Sequence, residues 1–440
     1  MDFCGDYSRH FVLRGNDSNG HAKHYLSGLL GTQRRKNIGR IGEDVAESNY
    51  QGMQQFISDS PWDHHAVMEQ VAAEAAGLLG GHRDTALYLD ETSFVKKGNG
   101  SVGVQRQYCG RLGKLENCQV GVFACLGRGE RSALVDFRLF LPEEWANDPA
   151  RCERVKIPLE ERVHRTKCEL ALAMVKQARE RQLGHRWIGG DAIYGNNQEF
   201  CAVLEELGET FLMDVSHNIV VWDEDPQPQA QAASPRGRPR TRARAANEKA
   251  TSQSVAKLVA ARFETESQTL TLRETTKGPL RADIWVQEVW LWNPRTEHRA
   301  RRRMLVARRD ADGSFKYSLS NAPSDTPWAR LASMQAQRFF IERAFEDAKS
   351  ELGMAQYEVR GWRGWHHHIT LCCMALLFAL KERIAFAENI PLLTVRDIVE
   401  LLAFYLPRRS RDPDAILTNL QARHTARASA IRSAVSRTSP

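Results

Sequence analysis

The spacing of apolar residues changes near Thr85, and this change limits the folds open to the chain. Before it, stretches such as HAKHYLSGLLG and HHAVMEQVAAEAAGLL have apolar residues at helical spacing. After it come short apolar or alternating runs, TALYLDET, CQVGVFACLG and LVDFRLFLP, which predict three strands of an antiparallel meander. The sequence therefore predicts a helical N-terminal segment followed by an α/β domain.

Helices and strands alternate after the meander. Helical patterns at about 167–182 and 197–207 are interleaved with the strand-like runs RWIGGD and TFLMDV, so the predicted order is β-β-β-α-β-α-β. Asp90 ends the first strand and Asp191 ends the strand RWIGGD. Glu91 follows Asp90 directly, and strand alternation predicts that its side chain points to the opposite face.

The region between Val215 and about Leu331 lacks a helical pattern. Residues 223–246 are rich in Pro, Ala, Gln and Arg and predict a basic disordered loop. The runs that follow, QTLTLRET, ADIWVQEVWLWN, RRRMLVARR and FKYSLSN, predict strands. We therefore expect a β-rich insertion at 217–330, after which QAQRFFIERAFEDAKSEL resumes the helical spacing.

A third acid, Glu342, lies on this last helix. At about 100° per residue, Arg338, Glu342 and Lys349 fall within about 40° of one direction and form one stripe. A carboxylate between two cations suits phosphate chemistry, because the acid binds a metal ion while the cations contact phosphate oxygens. Glu346 is an alternative to Glu342, but the spacing to Lys349 favours Glu342.

Several sequence blocks between about Leu87 and Leu380 resemble those of DDE-superfamily transposases from bacterial insertion sequences. The blocks are YLDETSFVKKG, SVGVQRQYCGRLGKLENCQVGV, FRLFLPEEWANDP, GGDAIYGNNQEF and FFIERAFEDAKSELGMAQYEVRGWRGWHHHITL. The related cut-and-paste group has a Tyr-Arg-Glu-Lys signature. Arg338, Glu342 and Lys349 keep its spacing, whereas Gln335 stands where the tyrosine is usual.

The resemblance implies a ribonuclease-H-like catalytic core interrupted by a β-rich insertion, with an N-terminal helical domain. It also implies that Asp90, Asp191 and Glu342 are catalytic and hold two Mg²⁺ ions, with Mn²⁺ as a substitute. In this chemistry, two metal ions about 3.5 to 4 Å apart stabilise the attacking and leaving oxygens of a phosphodiester. Water is the first nucleophile and a liberated 3′ hydroxyl is the second, so terminal inverted repeats are cleaved and then joined to target DNA.

Five segments are expected from these patterns and from the resemblance. They are a helical DNA-binding domain at 1–80, the first part of the core at 81–216, the insertion at 217–330, the second part of the core with the Glu342 helix at 331–406, and a basic flexible tail at 407–440.

The charge of the chain suits a polyanionic partner. The formal net charge is +7 and arginines are clustered, which favours contacts with a phosphate backbone. The segment SPRGRPRTRAR resembles an AT-hook core that lies in a narrow minor groove, although nonspecific phosphate contact also explains it. The DNA-binding candidates are Lys96, Lys97, Arg106, Arg236, Arg238, Arg338, Lys349 and Trp290.

Tryptophans of the insertion provide a further candidate contact. In relatives, a tryptophan of this insertion can stack on a base flipped out near the cleaved end. Trp285, Trp290 and Trp292 are the candidates in this chain, and at least two of them are expected to fill the core of the insertion instead.

The cysteines and apolar runs bear on the surroundings of the protein. The nine cysteines lack paired C-x-x-C spacing and predict buried thiols in a reducing cytoplasm. The apolar run at 369–380 is too short to cross a bilayer and predicts a buried core helix. We therefore expect a cytoplasmic, nucleoid-associated protein that binds transposon ends and target DNA as a homodimer, without a membrane.

Two other functions remain open from the sequence. One is a ribonuclease-H-like nuclease that cleaves without joining. The other is a catalytically inactive, domesticated transposase-derived protein that only binds DNA.

Overall fold

The computed structural model describes residues 2–13, 15–229, 243–275, 278–410 and 412–438. The chain divides into two compact units, one of residues 68–345 and one that combines residues 1–67 with 346–440. The helices of the described residues are α1 (Phe3–Asp6), α2 (Asn19–Leu29), α3 (Ile38–Asp44), α4 (Tyr50–Ser58), α5 (His64–Leu79), α6 (Glu143–Ala146), α7 (Pro149–Arg154), α8 (Lys167–Glu180), α9 (Ala192–Gly195), α10 (Gln198–Glu206), α11 (Val255–Glu266), α12 (Trp328–Gln337), α13 (Phe339–Ser350), α14 (Trp362–Ala385), α15 (Val395–Tyr405) and α16 (Pro413–Thr438). The strands are β1 (Val12–Leu13), β2 (Asn16–Asp17), β3 (Ala86–Val95), β4 (Gln105–Cys109), β5 (Lys114–Arg128), β6 (Arg131–Leu139), β7 (Trp187–Gly190), β8 (Phe211–Asp214), β9 (Val220–Trp222), β10 (Pro228–Gln229), β11 (Arg244–Ala245), β12 (Ser252–Ser254), β13 (Gln268–Thr275), β14 (Gly278–Leu291), β15 (Arg301–Arg309) and β16 (Phe315–Ser320).

A mixed sheet, twelve-stranded over the described residues, runs through the unit of residues 68–345. β3, β5 and β6 form the predicted antiparallel meander, β7 pairs in parallel with β3, and β8 pairs in parallel with β7. The order β6-β5-β3-β7-β8 is compatible with a ribonuclease-H-like core, and the α/β class is confirmed. β4, which also pairs with β5, was missed because its sequence QRQYC is short and mostly polar.

The parallel pairing of β3, β7 and β8 stops in register, but β3 itself continues to Val95, so the prediction that Asp90 ends the first strand is wrong. Leu89 of β3 lies opposite Gly190 of β7, and Gly190 lies opposite Met213 of β8. The next residue on each strand is an aspartate, namely Asp90, Asp191 and Asp214. Neighbouring strands are about 4.8 Å apart, so the three aspartates follow one another along a single edge of the sheet.

The insertion continues this sheet. β16 pairs antiparallel with β8, β15 with β16, and β14 with β15. The expectation that residues 215–331 lack a helix is wrong, because α11 lies between β12 and β13. Apolar residues at 255, 258, 259 and 263 give this helix one buried face, and Ser254 caps its N-terminus. These residues pack on Trp285, Val289 and Leu305 of the sheet, so the insertion has its own core.

The second unit is helical. Residues 369–380 lie in α14, and all of them except Phe378 are buried. The predicted core helix is therefore confirmed. Its imidazoles make internal contacts: His368 is bonded to the hydroxyl of Tyr25 (2.8 Å), and His367 lies stacked on Trp62. Across the described residues, we find no helix with both the length and the apolar character needed to span a bilayer.

Two segments predicted to be disordered or flexible contain regular secondary structure. In the basic loop at 223–246, β10 pairs with β11, and residues 230–242, which include Arg236 and Arg238, lie outside the described residues. In the segment expected to be a flexible basic tail, α16 occupies residues 413–438.

A close backbone approach fixes α9 against β8. A Cβ added to Gly195 would overlap the backbone carbonyl oxygen of Asp214, whereas a Cβ added to Gly77 in α5 would meet no atom within 4 Å. Gly195→Ala is expected to destabilise the protein by about 1–3 kcal/mol, because well-packed elements must separate. Gly77→Ala is the matched control and is expected to be neutral or stabilising by up to about 1 kcal/mol. Thermal unfolding of both variants tests this, and equal melting temperatures would contradict the tight approach.

Candidate metal centre

Three carboxylates converge where the parallel pairing of β3 and β7 stops. Asp90, Glu91 and Asp191 each contribute one oxygen atom to a group in which all the atoms lie within 4.8 Å of one another. All three residues are half-buried. Carboxylate oxygens are the ligands that hard divalent cations prefer, so this donor set fits an ion such as Mg²⁺ or Mn²⁺.

Asp90 uses both of its oxygens in contacts with the protein. Oδ1 accepts a hydrogen bond from the backbone N–H of Glu91 (2.8 Å), and Oδ2 lies 3.4 Å from Nη1 of Arg338. Burial raises the pKa of Asp90 to about 8, and the negative charges of Asp191 and Glu91 add to this, while Arg338 opposes it. The ionised form of Asp90 is therefore costly unless a further cation is present.

Asp191 is the N-cap of α9 as well as a member of the group. Its Oδ1 accepts a hydrogen bond from the N–H of Ile193 (2.9 Å). Burial raises the pKa of Asp191 to about 6, and the charge of Glu91 adds to the shift. A capping carboxylate uses one oxygen for the helix. The second oxygen remains for a cation, so the capping and ligand roles are compatible.

The expectation that Glu91 points away from Asp90 is wrong. Its Oε1 lies 2.7 Å from Nζ of Lys167, and its Oε2 accepts a 3.4 Å hydrogen bond from the hydroxyl of Tyr194. The reason is that β7 stops opposite Leu89, so β3 has no neighbour on that side beyond this point. The long side chain of Glu91 can therefore turn around the open edge toward the aspartates.

Arg338, which lies between α12 and α13, connects Asp90 to two further carboxylates. Its Nε lies 3.0 Å from Oδ2 of Asp214, its Nη1 lies 3.4 Å from Oδ2 of Asp90, and its Nη2 lies 3.0 Å from Oε1 of Glu342. Burial disfavours the charge of Arg338, but Asp214, Asp90 and Glu342 outweigh this and raise its pKa. Glu342 is thus linked to Asp90 through the guanidinium, and half of its side-chain surface is exposed (50%).

These contacts leave an excess of negative charge at the edge of the sheet. They join five carboxylates, those of Asp90, Glu91, Asp191, Asp214 and Glu342, to two cations, Lys167 and Arg338. If all of these groups are ionised, three negative charges are uncompensated within the set. Buried charges of one sign are costly without partners, so the set favours binding of divalent cations.

The predicted DNA-binding cations lie on different elements of the fold. Lys96 and Lys97 follow the end of β3, and at about 3.3 Å per residue the strand end at Val95 is about 17 Å from Asp90. Arg106 is exposed on β4. Lys349 lies in the last turn of α13 and is half-buried.

Trp290 differs from the other two candidate tryptophans in its exposure. Trp285 and Trp292 are buried (1% and 7% exposed), as expected for at least two of the three. Trp290 is half-buried and borders a surface cleft of about 510 Å³. The cleft is also lined by Arg299, Arg301 and Arg302 and by two acids, Glu205 and Glu206. An indole beside several guanidinium groups provides both a stacking surface and phosphate contacts.

Sequence reasoning missed four residues of this centre. Asp214 follows the same pattern as the other aspartates, since TFLMD is also an apolar strand that ends in an acid. Lys167 and Tyr194 carried no such signal, because their contacts with Glu91 depend on how α8 and α9 pack. Gln335, which was noted only as a departure from the tyrosine signature, is buried and donates a 2.8 Å hydrogen bond to Ser318.

The sequence of the chain also resembles those of known proteins. The family described as DDE superfamily endonuclease matches residues 12–279, more than half of the chain. This range contains Asp90, Asp191 and Asp214 but ends before Arg338 and Glu342. The chain is also 28% identical over 202 residues to a protein of Microchaete diplosiphon described as "Probable transposase for insertion sequence element IS701". The match covers 44% of this chain and 48% of that protein, so the chain spans about half the length of the curated relative.

The raised pKa values predict an unusual pH dependence of stability. An acid with a higher pKa in the folded than in the unfolded protein binds more protons when folded, so stability falls as pH rises between the two values. For Asp90 this window runs from the ordinary value of 3.8 to about 8. In EDTA, wild type is expected to lose about 1–3 kcal/mol relative to Asp90→Asn between pH 5 and pH 8.

Melting temperatures of the two proteins over this pH range measure the effect. Saturating Mn²⁺ is expected to raise the melting temperature of wild type at pH 8 and to have little effect on Asp90→Asn. Parallel pH profiles in EDTA would contradict the inferred environment of Asp90.

Proposed function

The chain belongs to the DDE superfamily endonucleases, and we propose that it is a DNA transposase of an insertion sequence. It would cleave phosphodiesters at the terminal inverted repeats and join the freed ends to target DNA. The convergence of Asp90, Glu91 and Asp191 at one edge of the sheet is the observation that carries this proposal. The relative described as a probable transposase supports it.

In the proposed mechanism, Asp90, Asp191 and Glu342 hold the metal ions within a ribonuclease-H-like core. When bound, a pair of Mg²⁺ ions would stabilise the charge on the attacking and leaving oxygens. Glu91 contributes negative charge close to both aspartates, and Lys167 and Tyr194 hold its carboxylate in place. Asp191 is oriented by its cap on α9, so its free oxygen keeps a defined direction.

Two cations of the Glu342 helix segment are proposed to contact the scissile phosphate. Arg338 presents a planar set of N–H donors that matches phosphate oxygens, and it already lies beside Asp90. Lys349, seven residues after Glu342 on α13, supplies a second positive charge. Neither residue is proposed to transfer a proton. Water and then a 3′ hydroxyl are the proposed nucleophiles, and bound divalent cations would promote the loss of their protons.

Double-stranded DNA is the proposed partner, both as transposon ends and as target. We assign recognition of the ends to the helical segment at 1–80 and the catalytic core to 81–216 and 331–406, interrupted by the insertion at 217–330. Lys96, Lys97, Arg106 and the arginines at 236 and 238 are proposed to contact DNA outside the centre. Two copies would act together on paired ends, in association with the bacterial nucleoid.

Substitution of the proposed ligands tests the chemistry. Asp191→Asn, Asp90→Asn and Glu342→Gln are each expected to lower cleavage about a thousandfold or more, because several kcal/mol of transition-state stabilisation are lost. Purified protein, labelled end DNA, a target plasmid and Mg²⁺ or Mn²⁺ provide the assay, with cleaved and joined products measured separately.

Glu346→Gln is the matched control, because it makes the same change one helical turn beyond Glu342. It is expected to keep most of the activity. Unchanged cleavage in Asp191→Asn would exclude the centre. Cleaved ends without joined products would favour a nuclease, and DNA binding without cleavage under any metal would favour a catalytically inactive DNA-binding protein.

The cleft at Trp290 is proposed to bind an unpaired base next to the cleaved end. Trp290→Ala is expected to weaken binding of end DNA that carries an unpaired base by about 1–3 kcal/mol, since a base–aromatic stack contributes about that much. Trp290→Phe keeps an aromatic face and is expected to retain most of the affinity. Fluorescence titration of labelled DNA measures both, and equal losses in the two variants would contradict stacking.

A further inference from the structure

The guanidinium of Arg338 divides its donors between different carboxylates. Nε lies 3.0 Å from Asp214, whereas the two terminal nitrogens reach Asp90 at 3.4 Å and Glu342 at 3.0 Å. Asp90 and Glu342 are proposed metal ligands, and Asp214 is outside the group of Asp90, Glu91 and Asp191. Arg338 therefore contacts two carboxylates that are proposed to bind metal, Asp90 and Glu342, and one that is not, Asp214.

Asp214 is itself held on its other side. Ser318 donates a hydrogen bond to Oδ1 of Asp214 (2.6 Å), and Gln335 donates to the hydroxyl of Ser318 (2.8 Å). Ser318 and Gln335 are buried (0% and 4% exposed). Asp214 thus uses one oxygen to bind the neighbouring strand β16 and the other to bind Arg338. This chain of contacts fixes the position of Nε.

We propose that Asp214 is a positioning residue that anchors Arg338 by Nε, so that the two terminal N–H groups exchange partners during the reaction. Without divalent cations they neutralise Asp90 and Glu342. When those carboxylates hold cations, the same N–H groups are released to a DNA phosphate. This inference rests on the proposed function, because it requires Asp90 and Glu342 to be metal ligands.

The exchange follows from competition for the same oxygens. A carboxylate has a limited number of lone pairs, and those that accept an N–H are not available to a metal ion. A guanidinium at 3.0–3.4 Å stabilises the ionised carboxylates of Asp90 and Glu342 but opposes metal binding to them. Since Nε stays on Asp214, release of the terminal groups leaves a fork of donors beside the metal ligands, where a phosphate would lie.

The proposal predicts opposite effects on metal affinity. Arg338→Gln removes the competing cation and is expected to raise the affinity for Mn²⁺ about tenfold. Asp214→Asn frees the guanidinium to settle fully on Asp90 and Glu342 and is expected to lower the affinity about tenfold. Because Asp214 acts through Arg338, adding Asp214→Asn to Arg338→Gln is expected to change the affinity less than about threefold.

Isothermal titration of Mn²⁺ into the full chain, without DNA, measures this double-mutant cycle. Asp283→Asn is the matched control, because it removes another aspartate–arginine pair of 3.0 Å, with Arg309, on β14 and β15. Its Mn²⁺ affinity is expected to equal that of wild type. Melting temperatures in EDTA identify any variant that fails to fold, and Asp214→Glu, which keeps the carboxylate, is expected to rescue most of the metal affinity.

Equal losses of affinity from Asp214→Asn with and without Arg338→Gln would overturn the proposal, since Asp214 would then act independently of Arg338. The DNA assay provides a separate readout. Arg338→Lys keeps the positive charge but loses the fork, so it is expected to compete with Mn²⁺ while losing most of the cleavage activity. If the effects of Asp214→Asn and Arg338→Gln on Mn²⁺ affinity depend on each other but the protein never cleaves DNA, only the proposed function is refuted. If the protein cleaves DNA but the two effects are independent, only this inference is refuted.

Discussion

The parallel pairing of β3, β7 and β8 stops in register, and the position of the three aspartates depends on this alignment. Because Leu89, Gly190 and Met213 lie side by side, the aspartates that follow them share one edge of the sheet. The strands are buried on both faces, so the register is fixed by packing along their whole length. A shift by one residue would turn each aspartate to the other face.

Packing around β7 shows how closely the neighbouring elements are fitted. A Cβ at Gly190 would meet the sulfur of Met213 at 2.8 Å and the ring of Tyr194 at 3.1 Å. The ring of Tyr194 is fully buried, and its hydroxyl reaches Glu91. The small residue at the strand end therefore allows a large aromatic residue to orient an acid on the next strand. The carboxylate of Glu91 is thus positioned by the packing of Tyr194 against Gly190.

The sequence predicts much of this core but less of the centre. Strands such as TALYLD and RWIGGD are recognisable because apolar runs end in acids, and the parallel pairing brings those acids together. Asp214 has the same local signal, but the sequence alone does not show that its strand lies beside the other two. Glu91 was assigned to the wrong face because alternation fixes only the direction of Cβ, and the open edge of β3 lets a longer side chain turn back. Helix α11 was missed because its apolar residues lie in a region where most of the sequence pattern predicts strands.

The proposal that Glu342 is the third metal ligand rests on its spacing to Arg338 and Lys349 and on its contact with Arg338, not on the family match. The family match ends at residue 279, so it does not reach the segment with Arg338 and Glu342. Gln335 replaces the usual tyrosine, yet it is buried and bonded to Ser318, which in turn holds Asp214. Gln335 is thus connected to Arg338 through Ser318 and Asp214. The guanidinium of Arg338 contacts both Asp90 and Glu342. On α13, Glu342 is therefore separated from Asp90 by the side chain of Arg338. A cation that displaces those two contacts would draw Glu342 toward Asp90 without requiring α13 to refold.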